Sequence, residues 1–196
     1  MQSTKPESIL QILHLVRAGL VSGLLSKEEV IDWADNIITR DEKPDTFFID
    51  LALSSSKSVN DVIHHFNEYL NFEASAISGR PLLGLLYKQL SNKELTLEQT
   101  VRRLYRLKFE AVFSEKEESY IYSIDDSFDC AKHNIHGTFE DVYAELEKFL
   151  DFYKGYSIDN YEQWQEMDLA VEIKLDEVQQ EQEMKEELMK PWWKIW

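Results

Sequence analysis

One helical pattern is written twice in this chain. Residues 58–70 read SVNDVIHHFNEYL and residues 138–150 read TFEDVYAELEKFL. Every apolar position of the first has an apolar counterpart in the second: Val59 with Phe139, Val62 with Val142, Ile63 with Tyr143, Phe66 with Leu146, Tyr69 with Phe149, and Leu70 with Leu150. The spacing is that of one face of an α-helix. Each segment opens on a hydroxyl residue, Ser58 or Thr138, with an aspartate three positions on. That is the pattern of an N-cap and its reciprocal partner. A second match lies earlier, where Leu25-Ser26-Lys27-Glu28-Glu29 aligns with Leu95-Thr96-Leu97-Glu98-Gln99. The apolar residues before it align as well (Ile12 with Leu82, Leu13 with Leu83, Leu15 with Leu85, Val16 with Leu86, Leu20 with Leu90). Residues 58 and 138 stand 80 positions apart and residues 25 and 95 stand 70 apart. The second half therefore carries about ten extra residues between the two matches. Insertions into a repeated scaffold are common places for function to be added. Two independent capped amphipathic helices would align in the same way, so the pattern specifies helices more firmly than duplication.

The expected fold class is all-α. Glycine (6) and proline (4) are too scarce for a strand-and-turn architecture. Helices are expected over 7–20, from the caps Ser26, Asp45 and Ser58, over 81–90, from the cap Thr96, over 115–124, and from the cap Thr138. An irregular segment, DDSFDCAKHNIHG at 125–137, is expected before Thr138. The expectation is a helical bundle or short α-solenoid built from two similar four-helix units, 8–72 and 78–153, within a tandem helical domain spanning 1–155. Residues 156–196 form a long acidic helix with a Trp-rich tail packed on the body. Residues 168–175 alternate in part, but a lone strand would have no partner, so helix is preferred there.

The charge narrows the partners. Against 21 Lys and Arg stand 37 Asp and Glu, for a net charge of −16. Such a surface repels nucleic acid and anionic lipid, which are polyanions. It suits a basic protein partner, and it also serves solubility. One cysteine, Cys130, leaves no internal disulfide and fits a reducing cytoplasm, the expected location. His14 and Arg17 interrupt the first apolar run, which disfavours a signal sequence. No segment reaches the ~18 uninterrupted apolar residues that read as a membrane span. No cofactor is expected: the glycines form no phosphate-binding loop, and neither HExxH nor GxSxG occurs.

The segment 125–137 gathers Asp125, Asp126, Asp129, Cys130, His133 and His136. Asp129, Cys130, His133 and His136 have side chains that can ligate a metal such as zinc. Their spacing is not an established zinc pattern, and a solvated polar loop has the same composition, so no metal is assigned. Arg102, Arg103 and Arg106, followed by Lys108, make the one concentrated basic patch, placed to receive an internal carboxylate. His64 and His65 are read as the solvated face of a helix. The chain as written closes on Pro191-Trp192-Trp193-Lys194-Ile195-Trp196. Three indoles so close together are unfavourable in water, and they should pack on the body or dock into a partner.

These features point to a non-catalytic protein-binding module. Partner contact is expected through Asp125, Asp126, Asp129, Trp192, Trp193 and Trp196. In its net charge and Trp-rich end the chain resembles, in general type, the small acidic immunity proteins of bacterial toxin systems. That resemblance implies inhibition of a basic toxin by masking its active site with carboxylates. Two other readings remain open. One is a metal-dependent enzyme or regulator built on 125–136, which a metal determination separates. The other is a structural adaptor docking through the Trp tail.

Overall fold

The computed structural model describes the backbone of residues 6–71 and 77–189, and side chains within 9–71 and 77–180. The fold is all-α. The elements are α1 (Pro6–Ser22), α2 (Lys27–Arg40), α3 (Thr46–Ala52) with a 3-10 turn (Leu53–Ser56), α4 (Val59–Tyr69), α5 (Arg80–Ser91), α6 (Leu97–Leu107), α7 (Glu115–Lys132), α8 (Phe139–Asp151), a second 3-10 turn (Ile158–Gln163) and α9 (Trp164–Met189). Among the described residues the only β-type contact is an isolated bridge between Ser78 and Val112. Residues 168–175 are helical, within α9.

Four of the helix starts follow from their caps. Ser26, Ser58, Thr96 and Thr138 each accept from the backbone N–H three residues on, and Glu29, Asp61, Gln99 and Asp141 reach back to the cap's own N–H. Two orphan donors are satisfied at each start. A fifth box, Ser114 with Glu117, opens α7. Helix packing follows a related order in the two halves. The close pairs α1–α4, α2–α3 and α3–α4 recur as α5–α8, α6–α7 and α7–α8, while α5 and α6 lie closer together than α1 and α2.

The extra residues of the second half lengthen a helix instead of forming a loop. α3 has 7 residues before its 3-10 turn, whereas α7 has 18. The expected irregular segment at 125–137 is thus corrected: it is helical through Lys132. Ile121, Ile124, Phe128 and Ala131 recur at helical spacing and are buried, and this apolar stripe holds the helix to the body. Only the turn at 133–137 is irregular, with Asn134 (φ 53) and Gly137 (φ 73) in left-handed conformations.

One continuous apolar core runs from α1 to α9. Between the halves, α1 packs against α5 and α6. Gln89 and Arg103 fasten the same junction: Arg103 donates to the Gly23 carbonyl and to Gln89 Oε1 (2.9 Å), and Gln89 Nε2 donates to the Leu24 carbonyl (3.3 Å). Three of the six matched pairs are buried in both halves, one is exposed in both, and two differ, since Tyr69 is exposed where Phe149 is buried and Ile63 is half-buried where Tyr143 is exposed. Val62, Phe66 and Leu70, with Val142, Leu146 and Leu150, enter the core. Val59, Phe139 and Tyr143 face outward. A helix carrying apolar residues over more than one stripe cannot bury all of them against one neighbour.

Candidate partner-binding face

The outward side of α7 carries Tyr122, Asp125, Asp126 and Asp129 at helical offsets of three, four and seven, so they form one stripe. It lies beside a stripe of α6 and its C-terminal turn: Arg102, Tyr105, Lys108 and Phe109. Two contacts tie them: Lys108 Nζ donates to Tyr122 Oη (3.0 Å), and the rings of Tyr105 and Tyr122 meet edge-on with centroids 6.2 Å apart.

The cations of this face are largely committed elsewhere. Arg102 pairs with Glu98 (2.7 Å), and Lys132 pairs with the same carboxylate (3.0 Å). The Arg102 hydrogen bond and then that of Lys132 hold the Glu98 carboxyl below its ordinary range. Asp125, Asp126 and Asp129 form no ion pair among the described residues. Partial burial, and then the like charges of Asp129 and Asp126, push the Asp125 carboxyl above its ordinary value; Lys108 and Arg102 oppose this but do not prevail. The face thus holds negative charge that its own cations do not neutralise.

Lys108 sits in an aromatic nest. Its ammonium lies 3.8 Å from the centroid of Tyr105, 4.1 Å from that of Tyr122 and 4.8 Å from that of Phe109. These distances are those of cation–π contact. Partial desolvation pushes the ammonium's pKa down, and hydrogen bonding to Tyr105 and Tyr122 more than reverses it. The nest is open to solvent: Phe109 is 72% exposed and Tyr122 48%.

The other site residues expected from sequence are placed as follows. Cys130 is half-buried on α7. His133 caps the helix and turns its Nδ1 back to the Asp129 carbonyl (2.8 Å). His136 is exposed in the following turn. Asp129, Cys130, His133 and His136 do not converge, and among the described residues no group of three or more His, Cys, Asp or Glu side chains could hold a metal ion. His65 is not a solvated side chain as expected: it stacks on Phe47, with centroids 4.8 Å apart, and its Nε2 is buried. Trp192, Trp193 and Trp196 lie outside the described residues.

A buried polar network fixes α7 and α9 to the body. Arg80, at the start of α5, donates from Nε to Glu117 Oε1 (2.8 Å), from Nη1 to the Asp168 carbonyl (3.0 Å), and from Nη2 to Glu172. Tyr153 Oη donates to the same Glu117 oxygen (2.9 Å), and Tyr156 Oη to Asp168 Oδ1 (2.7 Å). Burial alone would lower the Arg80 pKa, but its bonds to Glu117 and Glu172 hold it above that of an ordinary arginine. Burial, and next the Glu117 charge, raises Tyr153; burial, and next the bond to Asp168, raises Tyr156. Both phenols therefore contribute stability in their neutral form, fully present below the unfolded value of about 10. It is lost as pH rises from there through the folded values. Stability should fall steeply above about pH 10, and denaturant titrations at successive alkaline pH values will show it.

Sequence reasoning missed both assemblies. The string Tyr105-Arg106-Leu107-Lys108-Phe109 hints at the nest, but Tyr122 arrives from another helix. Glu117 could have been found as the third residue after the cap Ser114.

No family model, curated protein or solved structure matches this chain. Among the described residues, no helix is long and apolar enough to cross a membrane.

Proposed function

We propose that this chain is a non-catalytic protein-binding module, and that it engages a basic protein partner through the α7 stripe of Tyr122, Asp125, Asp126 and Asp129. The observation that carries the reading is that Asp125, Asp126 and Asp129 lie on one helix face with no ion pair among the described residues. A partner's lysines or arginines would neutralise them. The −16 net charge speeds encounter with such a partner. Inhibition of a basic toxin, with carboxylates masking its functional surface, is the concrete form of this reading. The likeness in order and packing of α1–α4 and α5–α8 supports two related four-helix units, of which the second gained its binding face through the longer α7.

The test compares the protein with its Asp125→Asn/Asp126→Asn/Asp129→Asn variant. A partner captured from the native cytoplasm should bind the variant at least about tenfold more weakly, with slower association. Wild-type association should slow between low and high salt, since exposed charges act over roughly 8 Å at physiological ionic strength. Equal binding by both proteins would sink the proposal.

Stability should move the other way. A carboxyl whose folded pKa is raised opposes folding when ionised. That cost is fully present above the folded value and vanishes below the unfolded one. Asp125→Asn should therefore match or slightly exceed the wild type in thermal stability at pH 7. The difference should close as pH falls below about 4. A variant less stable at pH 7 would show that Asp125 serves the fold instead.

A further inference from the structure

We infer that the Tyr105–Phe109–Tyr122 nest is a binding site for a cationic side chain of the basic partner, and that Lys108 is its resident stand-in. This rests on the reading of the α7 stripe as the partner-binding face. Three rings from two elements converge on one ammonium at 3.8–4.8 Å. Aromatic faces grouped in this way recognise ammonium and guanidinium groups generally, because each ring presents negative charge at its face. The nest is exposed at Phe109 and Tyr122, so a ligand can reach it without opening the core. Asp125 lies one turn along α7 from Tyr122 and near enough for Lys108 to act on its carboxyl. A cation entering the nest therefore meets rings on its flanks and, beside it, a carboxylate cluster that lacks ion-paired cations.

Lys108 stands at the end of α6, outside the core. It caps the C-terminus of α6, and its ammonium hangs on a four-carbon stem that can swing into water. An arginine from a partner brings a planar guanidinium that stacks on aromatic faces better than an ammonium does. Displacing Lys108 exchanges one cation–π set for another. It also returns a strongly hydrated ammonium to solvent, so the exchange discriminates in favour of arginine.

The test uses an acetylated hexa-arginine peptide as probe, with affinity and the ring resonances of Tyr105 and Tyr122 as readouts. Binding should shift both sets of resonances. Lys108→Met removes the resident ammonium while keeping side-chain bulk, and should tighten binding about two- to fivefold. Lys132→Met removes the same charge from the same face without touching the three rings, and should tighten it less. Tyr122→Leu in the Lys108→Met background keeps apolar bulk but removes a π face, and should abolish the gain. Equal effects of Lys108→Met and Lys132→Met, or a gain that survives Tyr122→Leu, would overturn the nest as a site. If the peptide then still depends on Asp125, Asp126 and Asp129, the acidic-face reading stands alone. Indifference to the rings and carboxylates together would overturn both.

Discussion

Glu117→Ala should destabilise the protein by about 3–5 kcal/mol, the range for removing one partner of a buried ion pair. Glu117 is 1% exposed, and each of its oxygens accepts two hydrogen bonds. Oε1 takes Arg80 Nε and the Tyr153 hydroxyl; Oε2 takes the backbone N–H and the hydroxyl of Ser114. Truncation would leave the Tyr153 hydroxyl unpaired within the core and weaken the cap that starts α7. Arg80 would keep Asp168 and Glu172, which are more exposed partners. For a chain of this size the loss corresponds to roughly 10 °C in melting temperature. Glu117→Gln preserves shape but sets an amide N–H₂ against donors already in place, and should fall between wild type and alanine. A melting temperature for Glu117→Ala within about 2 °C of wild type, which corresponds to less than about 1 kcal/mol, would mean that the network does not hold the fold. Alkaline denaturation supplies a second check, because without Glu117 the Tyr153 phenol should ionise more readily.

The same network gives α9 its place. Apolar contact is narrow there, with Val171 and Leu175 as its fully buried residues among those described. Polar contacts to Arg80 and Lys116 cover the neighbouring turns, through Asp168, Glu172 and Asp176. An acidic helix thus docks on an acidic protein because its carboxylates meet the few cations on that side, one of them largely buried. Net charge alone does not foretell this, since local pairing outweighs screened repulsion at longer range.

What could be read from sequence was whatever is encoded within a few residues. The four caps at Ser26, Ser58, Thr96 and Thr138 are local signals, and each starts a helix. α7 was only partly legible. Its stripe of Ile121, Ile124, Phe128 and Ala131 is interrupted by Asp125, Asp126, Asp129, Cys130 and Lys132, whose polarity reads as a loop. The carboxylates of the candidate face were named from sequence, but their lack of cations was not. That lack depends on Glu98 engaging both Arg102 and Lys132, the latter 34 positions away. The Lys108 nest needs Tyr122 from α7, and the pairing of Arg80 with Glu117 spans 37 positions. Such contacts exist only once helices have packed.

Gly84→Ala is expected to destabilise the protein although alanine is the better helix former. Within a helix, glycine costs about 0.5–1 kcal/mol relative to alanine, so propensity alone predicts a gain. Gly84 lies inside α5, at the place where the chain leaving α8 crosses it. A Cβ there would stand 2.7 Å from the Tyr153 carbonyl oxygen, 2.7 Å from Tyr156 Cβ and 2.9 Å from the Tyr156 carbonyl oxygen. Two of those atoms are backbone and the third is fixed to it, so no rotamer change relieves the overlap. The helix and the crossing segment must separate, which also stretches the Tyr153–Glu117 hydrogen bond. Overpacking of this kind typically costs about 1–3 kcal/mol. Gly19→Ala is the matched control. Its new Cβ meets only the side chain of Leu25, at 2.8 Å from Cδ1 and 3.0 Å from Cγ, so a shift of one side chain, with no backbone movement, relieves it. Melting curves should place Gly84→Ala clearly below wild type and Gly19→Ala close to it. A Gly84→Ala protein at or above wild-type stability would mean that residues 153–156 do not cross α5 at this distance, and the anchoring of α9 through Arg80 would have to be redrawn with them.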